Sequence, residues 1–134
     1  MKHLSKYNFD TLLPRLEKLI KEYGLSYSAK FGYKRYRNGI EKTDNNGLKV
    51  YNTSGYYKLR SDYNSIKNKF SKEALDLLYI LVVYAFNNDM RFNRSGEFNL
   101  PVGKTDLNKN NIKKLKLYID RVKKIDSVFI CGDF

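Results

Sequence analysis

A segment rich in amides, arginines and phenylalanines follows the most apolar stretch of the sequence. Between residues 86 and 104 it offers Asn side chains as paired donors and acceptors, Arg side chains as forked donors, and Phe rings as flat apolar faces. Proteins contact bases with these groups: Arg pairs with O6 and N7 of guanine, Asn matches N6 and N7 of adenine, and an apolar side chain can enter a base step. The residue types therefore predict an interface for nucleic acid.

The charge of the chain also indicates an anionic partner. Lys and Arg total 26 and Asp and Glu total 14, which gives a formal net charge of +12. Such a charge repels itself unless an anionic partner neutralises it. We expect nucleic acid rather than a membrane surface, because no basic amphipathic segment also carries a dense Leu or Trp face; Trp is absent.

A second basic cluster lies in residues 25–52. Apolar residues in this segment show no sustained periodicity, which predicts a long loop with at most a short hairpin. Lys34, Arg35 and Arg37 alternate there with tyrosines. Cations and rings in this order suit a phosphate backbone and its sugars. An equally simple interpretation is a solvated surface loop whose tyrosines pack against helices.

Hydrophobic periodicity predicts four helices, over residues 9–23, 54–67, 71–87 and 110–124. The third is apolar on nearly all sides, so we expect it at the centre of a bundle. Residues 127–131, "SVFIC", predict a short buried strand. The expected fold is a mainly α bundle of about four helices in a single domain over residues 1–134, with a short β-hairpin in residues 91–103 and a short C-terminal strand.

The sequence gives no sign of a metal or cofactor site. His3 and Cys131 are the only His and Cys residues, which leaves no zinc ligand set and no internal disulfide. The N-terminus lacks an apolar signal core, and the most hydrophobic run is too short to cross a bilayer. We therefore expect no metal, no cofactor and a cytoplasmic location.

The segment "YAFNNDMRFNRSGEFNLPVGK", residues 84–104, resembles the target-recognition segment of Dam-like DNA adenine methyltransferases. That family carries Arg-aromatic-Asn, then Gly-Glu-Phe-Asn, then apolar-Pro-x-Gly-Lys/Arg. Upstream, "YGLS", "GLKVYN" and "YYKLRSDYN" resemble its helical elements, and "SVFICGDF" resembles the strand that returns to its catalytic sheet. The resemblance implies a mostly helical insertion in an S-adenosylmethionine-binding fold whose enzyme flips adenine out of duplex DNA.

By this resemblance, Arg91 corresponds to an arginine that contacts guanine, and Phe86 and Asn87 correspond to side chains that enter the duplex near the flipped base. Asp89 falls where the family varies a base-contacting side chain, and Pro101 falls near a thymine methyl group. The candidate DNA-binding residues are Phe86, Asn87, Asn88, Asp89, Arg91, Asn93, Arg94, Asn99, Pro101, Lys104, Lys34, Arg35 and Arg37.

Two motifs that this family needs are absent from the sequence: the Phe-x-Gly-x-Gly loop for the methyl donor and the Asp-Pro-Pro-Tyr motif for the adenine amino group. We therefore expect the chain not to be an enzyme by itself, but a detached recognition domain that binds duplex DNA, with a catalytic methyltransferase subunit as a candidate partner. The alternative is a stand-alone phage or mobile-element protein that inhibits a nucleoprotein such as a restriction or CRISPR nuclease complex. A third hypothesis is an RNA-binding module.

Overall fold

The computed structural model describes residues 8–36 and 47–129. These residues form five α-helices: α1 (Phe9–Glu22), α2 (Ser28–Phe31), α3 (Lys49–Ser65), α4 (Lys72–Tyr84) and α5 (Lys109–Phe129). Two 3₁₀ helices, Tyr33–Tyr36 and Phe86–Asn88, lie between them. The prediction of a mainly α fold is confirmed. In the described ranges, no helix combines the length and the apolar character that a bilayer crossing requires.

The ends of α1 follow from local sequence. The Asn8 side chain accepts a hydrogen bond of 3.0 Å from the Asp10 N–H, which caps the first turn. At the other end Gly24 has φ of 65°, a left-handed conformation that glycine adopts without steric cost. The N–H groups of Gly24 and Leu25 bond back to carbonyls of the last turn, as in a Schellman motif.

Helix α4 lies in the core, as its apolar sequence predicts. Ser71 caps it by accepting a hydrogen bond from the Ala74 N–H, and seven of its thirteen residues are buried. It packs against α1 and α3. Its one buried acid, Asp76, pairs with Arg15 of α1 at 2.9 Å, which compensates a carboxylate that would otherwise be costly to bury.

The predicted β-hairpin of residues 91–103 is wrong, because no strand forms in residues 8–36 and 47–129. Two isolated antiparallel bridges, Ala85 with Val102 and Phe92 with Phe98, occur in its place. The Phe92–Phe98 bridge is closed by hydrogen bonds from the Asn93 N–H to the Glu97 carbonyl and from the Asn99 N–H to the Arg91 carbonyl, and no further pair of described residues extends it. The carbonyls of Phe98 and Leu100 and the Phe98 N–H face the other edge of the segment, where they bond to side chains of α3.

The predicted C-terminal strand is also wrong for residues 127–129, which lie in α5; its remaining residues lie outside the described ranges. A short apolar run does not by itself separate a strand from a helix, and Val122, Ile125 and Phe129 continue the three-and-four spacing of α5. The long-loop prediction for residues 25–52 is wrong where α2, the 3₁₀ helix Tyr33–Tyr36 and the first turn of α3 form.

Three polar side chains on one face of α3 hold the segment around residues 98–100. Tyr56, Arg60 and Asn64 are four residues apart and therefore share a helix face. Asn64 donates to the Phe98 carbonyl at 3.0 Å and accepts from the Phe98 N–H at 2.8 Å. Tyr56 and Arg60 both donate to the Leu100 carbonyl, at 2.8 and 3.0 Å. We call these three side chains the α3 clamp.

Residues 101–103, which follow the segment held by the α3 clamp, are fixed by hydrogen bonds at the end of α4. The Phe86 N–H donates to the Pro101 carbonyl at 2.9 Å, and the Gly103 N–H donates to the Tyr84 carbonyl at 2.8 Å. A Cβ at position 103 would lie 2.4 Å from the Ala85 carbonyl oxygen. Only glycine allows this close approach of two backbone segments without a shift.

A buried polar network joins α3 and α4 to the stretch between α4 and α5. The Asp106 carboxylate accepts from the Ser26 hydroxyl at 2.8 Å, the Ser28 hydroxyl at 2.5 Å and the Ser28 N–H at 2.8 Å. Asn52 accepts from the Ser26 N–H at 2.7 Å, and the Tyr84 hydroxyl donates to the Ser26 carbonyl at 2.7 Å. These hydrogen bonds compensate the loss of water around the network.

Removal of the Asn64 side chain tests the α3 clamp. We expect Asn64→Ala to lower the free energy of unfolding by about 1–3 kcal/mol, because the Phe98 N–H and carbonyl lose their partners in a partly buried position. Urea unfolding measures this loss. Ser61→Ala, at an exposed position of the same helix, is the matched control and should change stability by less than about 0.5 kcal/mol. Equal losses in the two variants would contradict the role of the clamp.

Buried tyrosines make the fold sensitive to alkaline pH. Burial raises the pKa of Tyr27 and Tyr79 from the ordinary 10.0 to about 12, and it raises the pKa of Tyr56 and Tyr84 as well. Because the folded state holds these protons more tightly than the unfolded state, this contribution to stability is complete below about pH 10 and is lost as the pH rises through 12.

Parallel alkaline titrations of tyrosinate absorbance and helical circular dichroism measure this effect. We expect the tyrosines that ionise at the highest pH to do so over the same pH range in which the helical signal is lost. Complete ionisation of all tyrosines with the helical signal unchanged would be inconsistent with the burial of Tyr27, Tyr56 and Tyr84 and the partial burial of Tyr79.

Candidate nucleic-acid interface

The segment singled out from sequence lies at the surface. Each residue from 86 to 97 is exposed, and we call this range the exposed loop. It begins in the 3₁₀ helix that follows α4 and ends where Phe98, 1% exposed, enters the core. The α3 clamp holds its C-terminal end, and the hydrogen bond between Phe86 and Pro101 holds its N-terminal end. The loop is therefore supported on both sides by regular structure.

Arg91 is oriented by Asn99. Its Nε donates to the Asn99 Oδ1 at 3.0 Å, and the Asn99 N–H donates to the Arg91 carbonyl at 2.9 Å. The two terminal guanidinium nitrogens make no hydrogen bond to any residue in the described ranges, and the side chain is exposed. Two parallel N–H donors of this kind match a pair of acceptors such as O6 and N7 of guanine.

Phe86 and Asn87 stand at a sharp turn. Asn87 and the next residue, Asn88, have φ of 57° and 51°, a left-handed conformation that Asn tolerates better than most residues. The Phe86 ring is 48% exposed. The Asn87 amide makes no side-chain hydrogen bond within the part of the chain that the structure describes. The turn thus presents a ring and an unused amide to solvent.

Two other candidate amides form hydrogen bonds within the protein. The Asn88 Nδ2 donates to the Val83 carbonyl at 2.7 Å, which satisfies a carbonyl of the last turn of α4. The Asn93 Oδ1 accepts from the N–H groups of Ser95 and Glu97 at 2.9 and 3.0 Å. Both side chains therefore hold backbone turns, although their residue type is the one that suits adenine.

The remaining candidates in the loop differ in their surroundings. Asp89 accepts a hydrogen bond of 2.8 Å from the Met90 N–H, so its carboxylate folds back on the backbone. Arg94 is exposed and makes no hydrogen bond to the described part of the chain. Met90 and Phe92 are 54% and 44% exposed, so the loop carries two apolar side chains besides Phe86 at the surface. Met90 was missed from sequence, although an apolar side chain in a polar loop is a signal that could have found it.

Pro101 and Lys104 are exposed near the base of the loop. A Cβ at Gly47 would lie 2.9 Å from the Lys104 carbonyl and 3.5 Å from the Tyr33 hydroxyl, which places Tyr33 close to Lys104. The 3₁₀ helix that begins at Tyr33 carries the exposed Lys34. The structure thus brings part of the second basic cluster near the segment that follows the exposed loop.

Arg35 has a different environment from Lys34. Its guanidinium lies 4.3 Å from the centroid of the Phe31 ring, a cation–π distance. Arg37 lies outside the described residues. The second basic cluster is therefore divided between a surface beside Lys104 and a stack on Phe31.

The residues that position the loop were not recognised from sequence. Tyr56, Arg60 and Asn64 occur in "YYKLRSDYN", where a four-residue spacing of polar side chains on a predicted helix was the available signal. Asp106 gave no signal of its buried network, because its partners are 78 and 80 residues away in the chain.

Comparison with known proteins gives matches along nearly the whole chain. A family model described as D12 class N6 adenine-specific DNA methyltransferase matches residues 15–134. The chain is 29% identical over 133 residues to type II methyltransferase M.FokI of Planomicrobium okeanokoites, which covers 98% of this chain and 16% of that protein. It is 30% identical over 91 residues to modification methylase StsI of Streptococcus sanguinis, which covers 66% of this chain and 13% of that protein.

These matches overturn one expectation. The chain was expected not to be an enzyme, on the absence of two short motifs, but the matching family and both relatives are named as methyltransferases or methylases. A search for two motifs tests only those patterns, whereas the family match extends over residues 15–134. The same names give no support to the inhibitor alternative. The chain spans less than a fifth of the length of these two relatives, and it belongs to the D12 class N6 adenine-specific DNA methyltransferase family.

Proposed function

We propose that this chain is the DNA-recognition part of an N6-adenine methyltransferase and that its exposed loop contacts duplex DNA. The observation that carries the proposal is the state of Arg91, whose Nε is held by Asn99 while both terminal nitrogens remain unused by the described residues. A side chain held at one nitrogen loses less conformational freedom on binding, which favours a specific contact. Family membership supplies the reaction to which such a contact belongs.

Several exposed side chains in and near the loop have separate roles in this proposal. Arg91 donates two hydrogen bonds to a guanine, and Phe86 enters the base stack beside the target adenine with Asn87 next to it. Pro101 contacts a thymine methyl group. Asn88 and Asn93 act by holding the turns that carry these side chains, as their internal hydrogen bonds indicate.

Cations around the loop provide affinity without sequence preference. Arg94, Lys104 and Lys34 are exposed, and the exposed face of α5 adds Lys109, Lys113 and Lys114. Contacts of such side chains with phosphates release counterions, so affinity for duplex DNA falls steeply as the salt concentration rises. This electrostatic attraction acts on DNA of any sequence, and the contact of Arg91 with a base then distinguishes one sequence from another.

Methyl transfer to the N6 amino group of adenine is the reaction that the family description names. In our proposal this chain contributes to that reaction by binding and orienting the duplex.

Sequence selection from a random duplex library tests the role of Arg91. We expect the wild-type chain to enrich a defined sequence, and Arg91→Ala to weaken binding to that sequence by about fivefold to a hundredfold while preference at one base pair is lost. Arg91→Lys keeps the charge without the fork, so it should not restore the preference. Fluorescence anisotropy with the selected duplex gives the affinities.

Arg94→Ala is the matched control, since it removes the same charge from the same loop at a position without an orienting partner. We expect it to weaken binding to all duplexes to a similar extent. The proposal is wrong if Arg91→Ala leaves the selected sequence unchanged, if the two variants behave alike, or if no duplex binds at moderate salt.

A further inference from the structure

A cleft of about 650 Å³ opens between α1, α2 and the 3₁₀ helix Tyr33–Tyr36. None of its lining residues belongs to the exposed loop, although one of them, Arg35, belongs to the second basic cluster. Its volume lies within the range of clefts that hold small ligands, about 300–1,000 Å³. The cleft therefore has room for one nucleotide.

The charge of the cleft favours an anion. Four cations line it, Lys18, Lys21, Lys30 and Arg35, against one acid among the described lining residues, Glu17. Lys18 also forms a solvent-exposed ion pair with Glu22 at 3.9 Å. Even without Lys18, three cations outnumber the one acid, so the cleft has a cationic excess that suits a phosphate group.

The walls of the cleft also present flat surfaces. The rings of Phe31 and Tyr51 are 45% and 46% exposed. The Tyr36 ring, which is buried, packs edge-on against Tyr51 with 4.8 Å between centroids and limits the motion of that ring. The Arg35 guanidinium covers part of Phe31, and a planar guanidinium is itself a surface on which a base can stack.

We propose that this cleft binds an unpaired nucleotide of a single strand, with its base stacked on Tyr51 and on the Arg35–Phe31 pair and its phosphate among Lys18, Lys21 and Lys30. Stacking needs an open base face, which a nucleotide inside a duplex does not offer. A concave site with aromatic walls therefore favours a single strand over a duplex backbone. This inference does not depend on the role proposed for the exposed loop.

Binding of a fluorescein-labelled deoxythymidine oligomer of about ten nucleotides, a common length for single-strand sites, tests the cleft. We expect Tyr51→Leu to lower the affinity by about fivefold to a hundredfold, because the stacking surface is lost. Tyr51→Phe keeps the ring and should bind within about twofold of wild type. Arg35→Ala should weaken binding to an extent similar to Tyr51→Leu.

Lys58→Ala is the charge control, since Lys58 is exposed on α3 and does not line the cleft. We expect it to have a smaller effect than Arg35→Ala. Arg91→Ala should leave binding of the oligomer intact, whereas Tyr51→Leu should leave the duplex preference intact. Failure of the cleft and failure of the exposed loop are therefore distinguishable.

Several results would overturn the proposal. The proposal is wrong if the oligomer does not bind, or if Tyr51→Leu binds it with wild-type affinity. It is also wrong if Lys58→Ala lowers the affinity as much as Arg35→Ala does, or if unlabelled duplex competes as strongly as unlabelled oligomer. Free thymidine monophosphate should compete at least about tenfold less well, since it engages one phosphate only. Competition as strong as that of the oligomer would show that the cleft takes a free nucleotide instead.

Discussion

The hydrogen bonds from α3 to the backbone around residues 98–100 are the constraint on which the exposed loop depends. A segment that makes only isolated bridges leaves backbone groups without ladder partners, and the α3 clamp supplies those partners from a rigid helix. Asn64 fixes Phe98, the next residue Asn99 holds Arg91, and Arg91 directs its remaining donors outward. The position of a single exposed guanidinium thus depends, through the side chains of Asn99 and Asn64, on one helix face.

The core explains why that helix face is stationary. Helix α3 is buried along Asn52, Tyr56, Leu59 and Tyr63, and Asn52 belongs to the network around Asp106. Hydrogen bonds in a medium of low dielectric hold their geometry well, since a broken one leaves an unpaired polar group away from water. A recognition loop on such a support is pre-organised, and pre-organisation lowers the entropic cost of binding.

Sequence reasoning succeeded where local rules decide the outcome. The periodicity around Leu12 and Leu16 predicted α1, and the apolar sequence of α4 predicted its burial. It failed where distant residues decide. Residues 91–103 look like a hairpin in sequence, but only the Phe92–Phe98 bridge forms within them, and the outer edge of Phe98 bonds to Asn64, 34 residues earlier in the chain.

The candidate site shows the same division. Three asparagines with the same side chain lie close together in the sequence: Asn87, Asn88 and Asn93. The amides of Asn88 and Asn93 form hydrogen bonds with backbone groups, whereas the Asn87 amide forms none within the described residues. Residue type therefore predicted which functional groups the surface carries, but not which of the Asn side chains is available to contact DNA. Arg91 and Asn99 were both predicted from sequence as DNA-binding residues. The hydrogen bond between them was not predicted, because it depends on the path of the chain between residues 92 and 98.

Nuclear magnetic resonance of the arginine side chains during titration with duplex DNA tests the central claim most directly. The account predicts that the terminal guanidinium protons of Arg91 shift and exchange more slowly on binding, since they gain acceptors. The Nε–H signal of Arg91 should change little, because its hydrogen bond to Asn99 exists before DNA arrives. Saturation with duplex that moves the signals of other arginines and leaves those of Arg91 unchanged would contradict the account.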